Sequence, residues 1–265
     1  MKIALLTCSY SVLIDHLGRI LHSEELIVVD FSKGGELADI CESKSIAYIR
    51  FSSWGQLADA LHEVELILSY KLNRIIPIEI VDKCKFGGLN IHPSLLPEYP
   101  GLNPWFDMYV DMNLNTGVTI HKIEAKPDCG DIIVQKSFAI NPGQPLSIAM
   151  DQADEIAAQL ITDVIVSRTF LNRGIKQHVV DMDLRGTINL ESLKHMSVER
   201  LWHILRGFPS LIHTLYPELP HKYFEAGEYT ETSSPETAVR IIIGQDGSRQ
   251  IACYDGFISL HESTI

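Results

Sequence analysis

Short apolar runs alternate with helical patterns over the first 92 residues, and this alternation limits the folds that the chain can adopt. The runs with the length and composition of strands are Lys2–Cys8, Glu25–Phe31, Ala47–Phe51, Glu65–Tyr70 and Gly87–His92. The segments with helical spacing between them are Val12–Leu21, Glu36–Ser43, Leu57–Val64 and Ile78–Cys84. Strands that alternate with helices form βαβ units and a parallel sheet. The sequence therefore predicts an α/β fold, with a mostly parallel sheet flanked by helices.

The pattern continues to about residue 170 and then changes. Further predicted elements are a helix from Pro104 to about Met112, strands over Thr116–Ile123 and Ile132–Ile140, and a helix from Leu146 to about Phe170. Beyond Gly174 the patterns predict an amphipathic helix over Ser197–Gly207, a polar and turn-rich segment over Glu225–Pro235, and antiparallel strands over Ala238–Ile243, Gln250–Tyr254 and Phe257–Leu260. We predict two domains, over residues 1–180 and 181–265, the second being a small helix-plus-β domain.

The composition excludes several classes of function. The formal net charge is -12 and no cluster of Lys and Arg stands out, which argues against a general nucleic-acid surface. The five cysteines are scattered without Cys-x-x-Cys or Cys/His ligand spacing, so neither a disulfide framework nor a metal site is expected. No apolar run is long enough for a membrane span or a secretion signal, and we expect a cytoplasmic protein. The first strand also lacks the Gly-x-Gly-x-x-Gly pattern, which disfavours a dinucleotide-dependent dehydrogenase.

The segment from Asn90 to Gly101 is the strongest candidate for a reaction site. Asn90 and His92 are two residues apart on a predicted strand, so their side chains point to the same face. A loop rich in Pro and Gly follows at once, where no regular element can continue. Ligands of open α/β sheets bind beyond the carboxyl ends of the strands, which is where this pair lies. The alternative is a strand that ends in a turn with a hydrogen-bonded histidine.

The same segment, Asn-x-His-Pro-Ser-Leu-Leu-Pro-x-Tyr-x-Gly, resembles the signature of the folate-dependent formyltransferases. The resemblance extends from the first strand to about residue 170. It implies the formyltransferase fold, in which a Rossmann-like, mostly parallel sheet is flanked by helices. It also implies an enzyme that uses 10-formyltetrahydrofolate as co-substrate, needs no metal and transfers a formyl group to a primary amine.

Formyl transfer to an amine requires a donor to the developing oxyanion and groups that move protons. Asn90 offers a side-chain NH₂ donor, and His92 offers either an imidazolium donor or a proton shuttle. The resemblance implies that Asp128 is the third catalytic residue, because it aligns with the family's Asp-x-Gly-x-Ile pattern; Asp131 falls at a variable position. A nearby carboxylate is expected to raise the pKa of His92. The rival is a nucleophilic enzyme that uses Cys129 with Asp128 and either His92 or His121.

The resemblance also implies residues for the folate pocket and for the acceptor. Those for the folate are Leu72, Ile75, Ile76, Pro77 and Ser94, together with Asp128. Ile75-Ile76-Pro77 is also an ordinary start for a helix. Trp105 is either a packing residue at the start of a helix or a wall of the acceptor pocket. His121 is expected to be a structural histidine with its hydrogen bonds satisfied.

The acceptor is inferred by elimination. Pro93 and Pro100 stand where methionyl-tRNA formyltransferases typically have a small residue and an Arg, and the acidic balance weighs further against tRNA. A glycinamide ribonucleotide transformylase would usually lack the C-terminal domain. A nucleotide-linked amino-deoxysugar remains, as in lipopolysaccharide or other surface polysaccharide biosynthesis, and a homodimer is compatible with it. The alternatives are a methionyl-tRNA or other amine formyltransferase, and a non-catalytic folate-binding protein.

Overall fold

A computed structural model describes residues 1–22, 25–177, 190–219, 224–232 and 240–263. The contacts divide the chain into two compact units. The first comprises Met1–Pro104, Thr116–Phe138 and the described part of Asp151–Met182. The second comprises Trp105–Asn115, Ala139–Met150 and the described part of Asp183–Ile265. No helix among the described residues is long and apolar enough to cross a membrane.

A seven-stranded sheet has the order β3-β2-β1-β4-β5-β6-β7. Its strands are β1 (Ile3–Thr7), β2 (Leu26–Asp30), β3 (Ala47–Arg50), β4 (Leu66–Tyr70), β5 (Gly88–His92), β6 (Asn115–Lys122) and β7 (Ile132–Ala139). Strands β1 to β5 pair in parallel, and β6 pairs antiparallel to β5. The prediction of a mostly parallel sheet is therefore confirmed.

Every residue of β1, β2 and β4 is buried. A strand that is covered on both faces needs apolar residues at consecutive positions, which explains the continuous apolar runs in the sequence. The helices between the strands are α1 (Val12–Ile20), α2 (Glu36–Ser43), α3 (Trp54–Ala60) and α4 (Ile78–Val81). On one face, Leu57 and Leu61 from the α3 region and Ile80 of α4 pack with Ala4 and Val29.

Later helices are α5 (Pro104–Val110), α6 (Leu146–Ser167), α7 (Leu190–Leu193), α8 (Val198–Gly207) and α9 (Ser210–Leu215), with a 3-10 turn over Thr169–Leu171. A four-stranded antiparallel sheet has the order β8-β11-β10-β9. Its strands are β8 (Phe224–Glu231), β9 (Arg240–Ile243), β10 (Arg249–Cys253) and β11 (Gly256–Glu262). Leu201 and Leu205 of α8 share a buried core with Ile251 and Ile258 of this sheet. The predicted small helix-plus-β part is thus present.

Several element boundaries differ from those expected. Helix α3 begins at Trp54 rather than Leu57, because Ser53 caps it and accepts a hydrogen bond from the Gln56 N–H at 3.4 Å. The segment predicted to be turn-rich contains β8, in which the inward-facing Phe224 and Ala226 are buried while most of the other residues are polar. Helix α9 was not predicted either; it follows Pro209 and is too short to show a clear helical period.

The division into units is less simple than one boundary near residue 180, a position that lies outside the described residues. The second unit also includes α5 and the start of α6, which the prediction had assigned to the first domain. Helix α5 belongs there because Tyr109 donates a hydrogen bond to the Gln144 carbonyl at 2.8 Å and stacks on His203 of α8 at a ring distance of 4.6 Å. These contacts are distant in sequence, and no local pattern predicts them.

Candidate active site

Strand β5 delivers Asn90 and His92 to the same face of the sheet, as the period of two requires. The chain order reverses at β1 and β4, so a topological switch point lies there, and β5 pairs with β4 directly. Cys8, just after β1, and Asn73, just after β4, meet across this point at 3.3 Å between Sγ and Oδ1. The carboxyl end of β5 is therefore adjacent to the crevice where ligands of such sheets bind.

Asp128 meets the β5 pair through one carboxylate oxygen. Its Oδ1 lies 3.3 Å from Asn90 Nδ2, 3.7 Å from His92 Nδ1 and 3.6 Å from His121 Nε2. The other oxygen, Oδ2, accepts a hydrogen bond from the Gly101 N–H at 2.8 Å. The structure thus brings Asn90, His92 and Asp128 together, although Asp128 comes from the connection between β6 and β7.

Side chains of β6 and β7 hold the loop that follows β5. Thr119 of β6 donates to the Ser94 carbonyl at 2.6 Å and accepts from the Leu96 N–H at 3.1 Å. Gln135 of β7 donates to the Leu96 carbonyl at 2.7 Å and to the Thr119 hydroxyl at 2.8 Å. Buried backbone groups need such partners, and here the partners also fix the path that carries Tyr99 and Gly101 to the site.

Neighbouring carbonyl groups show which nitrogen of each histidine ring carries a hydrogen, because a carbonyl oxygen only accepts hydrogen bonds. The Tyr99 carbonyl lies 2.8 Å from His92 Nε2, and the Lys122 carbonyl lies 2.8 Å from His121 Nδ1. These ring nitrogens therefore carry hydrogen, and in a neutral ring the other nitrogen has a free lone pair. His121 Nε2 uses its lone pair to accept from Asn90 Nδ2 at 3.1 Å. In His92 the corresponding lone pair is on Nδ1, which faces Asp128.

The pKa of His92 is lowered because the ring is almost completely buried, while the Asp128 carboxylate and the Tyr99 carbonyl act in the opposite direction. This net direction is opposite to the expectation from the sequence, since burial outweighs the nearby carboxylate. Burial raises the pKa of Asp128, but the His121 and His92 rings and the Gly101 N–H hold it below its ordinary value. The pair is therefore a neutral imidazole beside a charged carboxylate.

His121 was expected to be a structural histidine with satisfied hydrogen bonds; both of its ring nitrogens do have partners, and it also lies beside Asp128 in the cluster. Its side chain is 2% exposed and bridges Asn90 to the Lys122 carbonyl. The register of the antiparallel pair places His121 directly opposite Asn90. Residues opposite each other across two strands are neighbours. The register of β5 and β6 would therefore have predicted His121 in the cluster, but periodicity in the sequence does not give that register.

The residues predicted for a folate pocket divide into three groups. Ile75 is 70% exposed in the loop after β4 and offers an apolar surface that an aromatic ring can cover. Ile76 is buried in the core, Leu72 packs partly against it, and Pro77 precedes α4. Ser94 is fully buried, and its hydroxyl donates to the Glu98 carbonyl at 2.7 Å, which occupies it inside the loop.

The remaining candidates lie outside the cluster. Trp105 is half-buried at the start of α5, in the second unit. Cys129 has a pKa raised mainly by burial, which disfavours the thiolate that a nucleophile requires. The Asp131 carbonyl accepts the Lys122 N–H at 3.0 Å, which orders the turn. Among the described residues, no group of three or more His, Cys, Asp or Glu is arranged to hold a metal ion.

Comparison with known proteins finds a family that matches the part of the chain that holds this cluster. The profile of the formyl transferase family matches residues 55–165, which include Asn90, His92, His121 and Asp128. A methionyl-tRNA formyltransferase of Listeria welshimeri is 32% identical over 103 residues, or 39% of this chain and 33% of that protein. The chain thus spans about a third of the length of the curated relatives that it matches.

Solved structures share the fold over a larger part of the chain. An N-formyltransferase from Helicobacter canadensis, in complex with folinic acid and dTDP-3-aminofucose, has a TM-score of 0.69 at 17% identity and covers 100% of both chains. WlaRD, a sugar 3N-formyl transferase with dTDP and 5-N-formyl-THF, has a TM-score of 0.64 at 17% identity, over 99% of this chain and 97% of that one. The chain has the fold of these N-formyltransferases, and its residues 55–165 match the formyl transferase family.

Proposed function

We propose that this chain is an enzyme that transfers the formyl group of 10-formyltetrahydrofolate to the primary amine of a nucleotide-linked amino-deoxysugar. The observation that carries the proposal is the cluster around Asp128 Oδ1, which has nitrogens of Asn90, His92 and His121 within 3.7 Å. An amide donor, a neutral imidazole and a carboxylate are the groups that acyl transfer to an amine requires.

Asn90 donates the hydrogen bond that stabilises the oxyanion. Its Nδ2 donates at 3.1 Å to His121 and at 3.3 Å to Asp128. The second bond is the longer, so its hydrogen is the one that the formyl oxygen takes from Asp128 when substrate binds. His121 keeps the first hydrogen and thereby fixes the amide plane. A single donor of this kind contributes about 3 to 4 kcal/mol to the transition state.

His92 is the group for the proton. Its Nδ1 lone pair takes the proton from the attacking amine, and the ring then returns a proton to the leaving folate nitrogen. The Asp128 carboxylate, 3.7 Å from Nδ1, stabilises the imidazolium that exists between these steps. The Tyr99 carbonyl holds the ring so that Nδ1 stays directed to the site. No protein nucleophile takes part.

The neighbours with bound ligands support the choice of acceptor. Two of the proteins similar to this one over nearly the whole chain are an N-formyltransferase with dTDP-3-aminofucose and a sugar 3N-formyl transferase with dTDP. Ile75, which is 70% exposed in the loop after β4, offers an apolar surface to the aromatic ring of a folate. The matches to methionyl-tRNA formyltransferases favour tRNA as a second candidate, but they cover only 33% of those proteins.

The test is incubation of the purified protein with 10-formyltetrahydrofolate and one acceptor at a time. The panel contains dTDP-linked and other nucleotide-linked amino sugars, methionyl-tRNA and glycinamide ribonucleotide, and mass spectrometry detects the gain of a formyl group. We expect a gain on an amino sugar with wild-type protein and a much slower gain with the Asp128→Asn variant. If only methionyl-tRNA gains a formyl group, tRNA and not an amino sugar is the acceptor. If no amine gains a formyl group, the proposal is wrong.

A further inference from the structure

Gln177 lies after the 3-10 turn that follows α6, and its side chain is partly buried. Its amide nitrogen donates to the Asp128 carbonyl at 3.2 Å and to the Gly130 carbonyl at 2.6 Å. Both partners only accept, so the orientation of the amide is unambiguous. One side chain therefore spans the turn in which Asp128 stands.

This turn has a backbone conformation that needs support. Asp128 has φ 53°, in the left-handed region that residues other than glycine rarely occupy. Such a residue persists only where its surroundings hold it. The turn packs closely against Lys122 at Gly130, where a Cβ would lie 1.8 Å from the Lys122 carbonyl oxygen. Gln177 acts from a segment that is distant in sequence.

That segment is fixed to the sheet. Ile175 and Ile132 of β7 exchange two backbone hydrogen bonds, each of 2.8 Å. The turn around Asp128 is thus enclosed by β6, through Lys122, and by the segment of Gln177. Asp128 and Gln177 are far apart in sequence, and the proposed mechanism gives this glutamine no role.

We propose that Gln177 is a positioning residue that sets the place of the Asp128 carboxylate relative to His92 and Asn90. The inference rests on the proposed function, because it assumes that Asp128 acts in catalysis. Without the two hydrogen bonds the turn can relax toward ordinary φ values, and the carboxylate then moves with its Cα. Misplacement of a reacting group by about 1 Å can cost about a hundredfold in rate.

The test uses Gln177→Met, which has nearly the same size, adds no charge and donates nothing to the two carbonyls. We expect kcat to fall about ten- to a hundredfold while KM for both substrates stays the same. The exposed neighbour Lys176 provides the control, and Lys176→Met should behave as the wild type. In an Asp128→Asn background, Gln177→Met should reduce kcat little further, because the two residues act through the same group.

A second measurement does not depend on turnover. Asp128 raises the pKa of His92, so in Gln177→Met the NMR titration of the His92 ring should move to lower pH than in the wild type. If the wild type formylates none of the amines, the proposed function is wrong. The titration of His92 then still shows whether Gln177 positions Asp128. An unchanged His92 titration, or a loss of kcat that simply adds to that of Asp128→Asn, overturns the inference. If Gln177→Met does not fold, Gln177→Leu, which likewise donates nothing and adds no charge, replaces it in the kinetic cycle and in the titration.

Discussion

Asp128 joins residues that the chain supplies from three separate places. Its Oδ1 faces Asn90 and His92 of β5 and His121 of β6, while Oδ2 is held by the Gly101 N–H. The two oxygens therefore have different tasks: one is anchored to the backbone and the other is directed to the polar side chains. This asymmetry holds the carboxylate without neutralising it.

Removing the amide of Asn90 tests its assignment. Asn90→Ala should lower kcat about a hundred- to a thousandfold, because the oxyanion loses its donor. Folate affinity, measured by equilibrium binding, should change little, since the amide is not assigned to the folate pocket. Equal losses in kcat and in folate affinity would instead indicate a structural role for Asn90.

The state of His92 predicts the pH dependence. Burial lowers its pKa below the ordinary value near 6.5, so the neutral ring that accepts a proton persists as the pH falls through that value. The acid limb of kcat/KM should therefore lie below about pH 6.5. In Asp128→Asn the carboxylate that raises this pKa is absent, so the limb should move to still lower pH. An acid limb above about pH 6.5 in the wild type would contradict this assignment.

At the scale of elements, the loop after β4 is tied to α6. Lys71 and Tyr70 both donate to the Asp154 carboxylate, at 2.6 Å and 2.5 Å, and Lys71 has φ 53°. Asp154 is 8% exposed. The ion pair thus fixes the start of the loop that carries Leu72 and Ile75, the residues predicted to contact the folate.

Lys71→Met keeps the aliphatic stem and removes the ammonium group. We expect KM for the formyl donor to rise about tenfold, equivalent to about 1.4 kcal/mol, with kcat nearly unchanged. Steady-state kinetics with the donor varied measures this, and the exposed Lys83→Met is the control. A fall in kcat without a change in KM would show that the loop does not act through folate binding.

Helix α8 contains a histidine that should make the protein sensitive to acid. His203 is 1% exposed and accepts the Gly143 N–H at 2.8 Å on Nδ1, and burial lowers its pKa to about 4. The unfolded chain binds a proton near pH 6.5, so this contribution to stability is complete above that pH and is lost as the pH falls toward 4.

For His203 the loss should be about 3 kcal/mol between about pH 7 and about pH 4. The glutamine of His203→Gln does not titrate in this range. Between the same two pH values, the free energy of unfolding of this variant, measured by urea denaturation, should therefore fall by about 3 kcal/mol less than that of the wild type. Parallel pH curves for the two proteins would show that His203 is not kept neutral in the folded state.

What the sequence could predict depends on the range of the interaction. The shared face of Asn90 and His92 was predicted from local strand periodicity, and the parallel sheet from the alternation of short apolar runs with helical patterns. Asp128 required a family resemblance, because nothing local links it to β5. His121 and Gln177 depend on the register of β6 and on a pairing with β7. Strand β8 was missed because an edge strand with few inward-facing apolar residues resembles a loop.

At the scale of the whole molecule, charge bears on the acceptor. A net charge of -12 repels a polyanion such as tRNA along its length, and binding would need a local basic surface to overcome it. A nucleotide sugar presents only its diphosphate, which a few donors can neutralise. The charge therefore agrees with a small acceptor.

The most direct test of the account is a crystal structure of the protein with 5-formyltetrahydrofolate, in place of the reactive donor, and a dTDP-linked amino sugar. We expect the formyl group at the carboxyl end of β5, with its oxygen about 3 Å from Asn90 Nδ2 and the sugar amine on the side of His92 Nδ1. A folate that binds elsewhere, or a formyl group out of reach of Asn90, His92 and Asp128, would contradict it.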